Sequence, residues 1–183
     1  MTSNAPMRIL AIGAHPDDIE FGCAGTLARC VQRGDSVVMA VACVGDSASS
    51  DLSPEELAKV RSAELKNSAR TLGAELIEMG LLDYGVWPNR ETAMLFTDVV
   101  RQARPDVVIT HGNTDYGSDH NNTHIPNTFL NTTPNAHMYL QHPNLSLVSP
   151  FSTRVQKVTS LEESPLQSVM QPACSSAPHL FFQ

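Results

Sequence analysis

The sequence predicts an α/β fold in which a mostly parallel sheet carries helices on both faces, three layers in all. Three observations point to it. Apolar runs and amphipathic segments alternate in the order β-α-β-α-β-α-β over the first two thirds of the 183 residues. The apolar runs lack the clean in-out alternation of half-solvated strands, which is how strands covered on both faces read. Two of these runs stop abruptly in clusters of His and Asp, and open α/β sheets bind ligands in the crevice outside the carboxyl ends of their strands.

Taken in order, Arg8 to Ala14 (RILAIGA) reads as a buried strand that runs into His15-Pro16-Asp17-Asp18. Gly22 to Arg33 reads as a helix closed by Gly34. Ser36 to Val44 is a second strand, and the polar stretch Gly45 to Ser53 follows it. Ser53-Pro54-Glu55-Glu56 is a helix start, with Ser as N-cap, Pro at the first position and Glu at the third. That helix should run to Leu72 before Gly73, with an apolar stripe of Leu57, Val60, Ala63 or Leu65, Ala69 and Leu72. Glu75 to Met79 is a third strand, Leu81 to Asn89 a loop, Glu91 to Ala103 a helix, and Pro105 to Thr110 (PDVVIT) a fourth strand.

Beyond His120 the pattern fades. Residues 121–183 hold only four charged side chains, Arg154, Lys157, Glu162 and Glu163, and seven of the twelve prolines. Leu145 to Val148 and Leu180 to Phe182 are weak strand candidates there. The expectation is one domain over residues 1–183, its motif-bearing part at 7–125 and its remainder, 126–183, irregular, truncated or divergent.

Composition excludes several classes. With a formal net charge of -7 and no Lys or Arg run, the chain is a poor partner for nucleic acid. No apolar stretch reaches the roughly 18 residues of a membrane span, and no basic segment followed by an apolar one opens the chain, so a cytoplasmic protein with no membrane partner is expected. Cys23, Cys30, Cys43 and Cys174 show no metal-type spacing and read as buried reduced thiols. The glycines at 13, 22 and 25 have the wrong spacing for a dinucleotide fingerprint, and carboxylates would lie where a pyrophosphate must sit. No G-x-S-x-G elbow supports a serine hydrolase.

The chemistry therefore concentrates at two strand ends. His15 and Asp18 are nitrogen and oxygen donors suited to one first-row metal ion, and Asp17 between them is free to face a water. The fourth strand leads into His111, Asp115, Asp119, His120 and His124, any of which could reach the same crevice and complete the three protein ligands of a catalytic zinc site.

AHPDD after a buried strand, the F-G-C-A-G-T segment, the Arg61-x-x-Glu64 pair and PDVVITH…DYGSDH together resemble the LmbE-like, or PIG-L, N-acetylglucosaminyl deacetylases over roughly residues 7–125. The resemblance implies a Rossmann-like fold and zinc-dependent removal of an acetyl group from an N-acetylglucosamine conjugate or a similar N-acyl amide. It implies one Zn2+ per chain held by His15, Asp18 and His120, with Asp17 as general base. A carboxylate bound to the metal is a poor base, whereas its neighbour can take the proton of the attacking water. Arg61 would point into the site, where the residue-level alternative is a surface ion pair with Glu64. Asp83 would lie near the sugar, where the alternative is a turn residue. Asp119 joins them as a supporting residue. The implied partner is a small N-acetylated sugar conjugate, and a homo-oligomer is compatible with the sequence.

One position departs from the family pattern. Where many members read H-P-D-H, this chain reads Gly117-Ser118-Asp119-His120. The first histidine, which helps to stabilise the developing oxyanion, is absent; His111, Tyr116 or His124 are the candidates to replace it. The alternative function is accordingly a metal-binding relative, truncated or impaired in catalysis.

Overall fold

The computed structural model describes residues 5–47, 49–112 and 114–124, together with the strand segments 137–141 and 147–148. Its sheet contains β1 (Arg8–Gly13), β2 (Ser36–Cys43), β3 (Glu75–Leu81), β4 (Val107–His111), β5 (His137–Gln141) and β6 (Leu147–Val148). They lie in the order β3-β2-β1-β4-β5-β6. Strands β1 to β5 are mutually parallel, and β6 runs antiparallel to β5. The expected α/β, mostly parallel sheet is therefore present.

Strand order decides where the chemistry falls. From β1 the chain steps outward to β2 and then β3, and returns to place β4 on the other flank of β1. The carboxyl ends of β1 and β4 thus form the switch point at which open α/β sheets create a crevice. His15 follows one of these ends and His111 closes the other.

Both faces of the sheet are covered, because successive residues of each strand point to opposite sides. Leu10, Ile12, Val38, Ala40 and Val108 pack with Phe96, Val99 and Val100 of α4 (Arg90–Ala103). Ile9, Ala11, Val37, Met39 and Val107 pack on the other face with Leu27 of α2 (Ala24–Arg33) and Leu65 and Ala69 of α3 (Pro54–Leu72). Helix α3 begins as its sequence predicts: Ser53 Oγ accepts from the Glu56 N–H and Glu56 Oε2 accepts from the Ser53 N–H, a complete capping box.

The structure corrects several details. Val60 is 45% exposed and lies off the apolar stripe of α3. The inward stripe is Leu57, Leu65, Ala69 and Leu72, and steps of four along it place Arg61 on the same face. The helix expected over Gly22 to Arg33 is α2, which begins at Ala24; a separate short α1 (Asp18–Gly22) precedes it and ends at Cys23, whose φ of -148° and ψ of 5° break the helical path. Strand β3 continues to Leu81 because its carbonyl accepts from the Val44 N–H. The sheet also extends into the part read as irregular: β5 adds a fifth parallel strand, and β6 falls within the weak 145–148 candidate. The 180–182 candidate and Cys174 lie outside the described residues. Among the described residues no helix is long and apolar enough to cross a membrane.

Candidate metal centre

The turn after β1 is built on close approach. A Cβ at Gly13 would sit 3.1 Å from Asp18 Cβ and 3.2 Å from Ile19 Cγ1, so a residue without a side chain lets the chain double back. Asp18 Oδ2 accepts from the His15 N–H at 2.7 Å, closing the turn, and α1 follows. Asp17 stands between them with φ 132° and ψ -21°, a backbone conformation that costs on the order of 1–3 kcal/mol in a residue other than glycine.

Three predicted ligands converge. His15 Nδ1 lies 3.3 Å from His120 Nε2, and His120 Nε2 lies 3.4 Å from Asp18 Oδ1. His15 Nδ1 is 3.7 Å from Asp18 Oδ2. A tetrahedral ion with bonds of about 2.0–2.1 Å separates its ligands by about 3.3 Å; the two imidazole nitrogens lie at that spacing, and one carboxylate oxygen of Asp18 completes a donor triangle within 4.8 Å on each side.

Each ring is held from behind. His15 Nε2 meets Asp119 Oδ2 at 3.1 Å, and His120 Nδ1 meets Asp115 Oδ1 at 2.9 Å. Those contacts anchor the far nitrogens and turn His15 Nδ1 and His120 Nε2 toward Asp18; this backing of histidines by carboxylates is characteristic of metal sites. In the metal-free protein, hydrogen bonding to Asp18, then to Cys43, raises His15 to about 11, so an ion that binds there must displace a proton from the ring. Burial opposes ionisation of Asp18 but is outweighed by bonds from His111 and His15, which hold its carboxyl far below the usual range. At Asp115 burial is likewise outweighed, by bonds from His120 and from the N–H groups of Gly117 and Tyr116.

The remaining candidates fall into place around this triangle. Asp119, only 3% exposed, accepts from the Tyr84 N–H at 2.6 Å and the Val86 N–H at 3.2 Å as well as meeting His15. It braces the site and the 82–86 loop together. Asp83 does the same for another loop, accepting from the Gly45 N–H at 2.9 Å and the Ser47 N–H at 3.0 Å, and its side chain also lines the cleft. Arg61 reaches the site: its Nη2 donates to Asp17 Oδ2 at 2.7 Å and to the Pro16 carbonyl, while Nη1 keeps the bond to Glu64 at 3.1 Å. The surface pair and the inward reach thus coexist.

His111 is buried, with Nε2 3.0 Å from Ala14 N and 3.1 Å from Asp18 Oδ2, and its ring stacks on His120 at 4.4 Å. It packs behind Asp18 and His120 and does not line the cleft. His124 turns its Nδ1 to the His111 carbonyl and does not join the group. Tyr116, 95% exposed, contacts the His120 ring edgewise and lines the cleft. This cleft encloses about 580 Å³ and is bordered by His15, Asp17, Arg61, Tyr84, Tyr116 and His120.

Two contributors escape a reading of the sequence. Asn121 clasps the turn before His120, accepting from the Asp115 N–H and donating to the carbonyls of Asp115 and Gly117. Cys43 lies beside His15, and its N–H donates to the Ala14 carbonyl at 2.7 Å. Position next to D-H is the only signal for Asn121, and in the sequence Cys43 has the pattern of any buried thiol.

Residues 10–126 match the family model described as GlcNAc-PI de-N-acetylase, PIG-L. The chain is 30% identical over 127 residues to the uncharacterized deacetylase YaiS of Escherichia coli K12, covering 68% of this chain and 65% of that protein. It is 32% identical over 140 residues to the 1D-myo-inositol 2-acetamido-2-deoxy-alpha-D-glucopyranoside deacetylase of Kineococcus radiotolerans, covering 58% of this chain and 39% of that one. The N,N'-diacetylchitobiose deacetylase of Pyrococcus horikoshii superimposes with a TM-score of 0.63 at 25% identity, covering 73% of this chain and 60% of that structure. The chain thus spans between about two fifths and two thirds of the length of these relatives. With its family match over more than half its length, carried on the sheet and the two strand-end motifs described above, the chain belongs to the PIG-L deacetylase family.

Proposed function

We propose that the chain is a zinc-dependent N-deacetylase that hydrolyses the acetamide of an N-acetylglucosamine conjugate or a similar N-acyl amide. The observation that carries this reading is the convergence of donor atoms from His15, Asp18 and His120 within reach of one ion, with Asp17 lining the same cleft. The chemistry of the donor set, two imidazoles and one carboxylate, fits zinc.

A zinc ion bound by these three residues supplies a Lewis acid that polarises the amide carbonyl and lowers the pKa of water to about 7. Asp17 accepts a proton as the water oxygen bonds to the carbonyl carbon, and returns that proton to the amide nitrogen as the C–N bond breaks, leaving acetate and the free amine. Arg61 fixes the Asp17 carboxylate for both transfers through its bonds to Asp17 Oδ2 and the Pro16 carbonyl. Asp119 and Asp115 hold the two imidazoles in the tautomers that present lone pairs to the ion.

A competing reading, a metal-binding relative without turnover, is favoured by one observation: Gly117 carries no side chain, and neither His111 nor His124 turns a ring nitrogen to the cleft in its place. Acetate release from N-acetylglucosamine conjugates by zinc-loaded protein, with Asp17→Asn beside it, separates the two. Turnover that falls about 10²- to 10⁴-fold in Asp17→Asn supports the enzyme. Equal rates in both proteins refute it.

A further inference from the structure

The structure holds another group of metal-ligating side chains that the hydrolytic reading leaves unused. Cys43 is the last residue of β2 and is 3% exposed. Its backbone bond to the Ala14 carbonyl pins it beside the β1 turn, against the other side of His15. The Asp83 carboxylate is held at the same place by the Gly45 and Ser47 N–H groups. One ligand atom from each of His15, Cys43 and Asp83 lies within 4.8 Å of the others.

We propose that His15, Cys43 and Asp83 form a second, softer metal site that competes with the Asp18 and His120 pair for His15. The proposal rests on the preceding reading in one respect, that His15 serves as a metal ligand there. Competition follows from the ring itself. A neutral imidazole carries a single lone pair, so His15 can serve one ion at a time, and both sets must draw on it. The sets differ in softness. Asp18 and His120 offer oxygen and nitrogen, suited to zinc, whereas Cys43 adds a thiolate, which selects for thiophilic ions. Binding breaks the Cys43 S–H bond, forms a sulfur–metal bond and releases one proton to solvent. Occupancy of the softer set takes His15 from the hydrolytic triangle, so thiophilic ions inhibit by displacement.

A third group, His111, Asp115 and His120, has donors equally close together. It carries no separate site, because its His120 already belongs to the hydrolytic triangle, its Asp115 is engaged by His120 Nδ1, and His111 Nε2 is held by Ala14 and Asp18.

The test is a cadmium titration of metal-free protein, followed by thiolate-to-metal charge-transfer absorption in the ultraviolet. In the unsubstituted protein the band should saturate near about one equivalent and shrink when zinc is added first. Cys43→Ser, which changes only sulfur to oxygen, should lose the band, weaken cadmium binding by about tenfold or more, and keep the zinc stoichiometry. In the unsubstituted protein cadmium should also protect Cys43 from alkylation, read by peptide mapping, a measurement independent of how well the variant folds. No band, a band of equal size in Cys43→Ser, a band indifferent to zinc, or unprotected Cys43 overturns the proposal. Absence of zinc binding in the unsubstituted protein instead overturns the deacetylase reading, and cadmium still reports on the Cys43 set.

Discussion

Asp119→Asn tests whether this residue is a brace and not a ligand. Its two carboxylate oxygens serve three donors: Tyr84 N–H and His15 Nε2 on Oδ2, and Val86 N–H on Oδ1. An amide retains one oxygen. Set toward Tyr84 and His15, it leaves its own NH2 facing the Val86 N–H, a buried donor without an acceptor, which costs about 1–3 kcal/mol. Loss of charge from the bonds that remain adds roughly another 1 kcal/mol. The expected destabilisation is about 2–4 kcal/mol, or about 4–16 °C in melting temperature for a chain of this size. Because the same oxygen orients His15, zinc affinity should fall about 10- to 100-fold while stoichiometry stays near one. Urea unfolding of the metal-free protein gives the first number, and competition with a chromogenic chelator gives the other. A change in stability within about 0.5 kcal/mol, as at an ordinary surface position, would refute the brace. So would complete loss of zinc with unchanged stability, the signature of a direct ligand.

Arg61→Ala should lower kcat about 100-fold with zinc occupancy unchanged, since it frees the Asp17 carboxylate without touching the metal triangle; loss of bound zinc by elemental analysis would contradict that division of labour. Gly117→Ala sets a Cβ 3.2 Å from the Cγ and Nδ1 of His120, so the ring must shift by a few tenths of an ångström against Asp115. Zinc affinity should drop severalfold with little change in stability, and an unaltered affinity in chelator competition would show that the ring yields freely. Burial, followed by Glu20 and Cys30, pushes the Cys23 thiol up to about 12 from an ordinary value of 9.0, and burial also raises Cys30. Above the ordinary value the unfolded chain releases protons that the folded chain keeps, so stability is lost as pH rises from about 9 toward 12, by about 1.4 kcal/mol at pH 10 for Cys23. Urea midpoints across pH 8 to 10.5 should slope downward, and the slope should flatten in the Cys23→Ala, Cys30→Ala double variant; equal slopes would exclude the thiols as its source.

The part of this molecule that could be read from one sequence is the part written in local chemistry. Buried parallel strands announce themselves as continuous apolar runs, and a run that breaks into His-Pro-Asp-Asp or His…Asp-His marks a strand end with a task. Strand order supplies what those runs leave unstated: only because β4 returns to flank β1 do His15 and His120 meet. The turn chemistry at Ser53 and Gly73 is equally local, and both ends of α3 follow it. Arg61 lies between the two levels. Its place between Leu57 and Leu65 at intervals of four aligns it with the buried stripe, but the exposed Val60, three residues from Leu57, fits a helical period just as well. The roles of Asp119 and Asp83 have no sequence signature, because each is defined by backbone N–H groups from loops some 35 residues away in the chain, and a hydrogen bond to backbone imposes no residue type on its partner. The same reasoning explains why a carboxylate beside a histidine can be taken for a ligand as readily as for its support: residue type is shared by the two roles, and only the direction in which the histidine turns its free nitrogen tells them apart. Here Asp119 stands behind His15 and Asp18 in front of it, so in the proposed centre the face of the ring that would meet a metal is set by a residue that need never touch it.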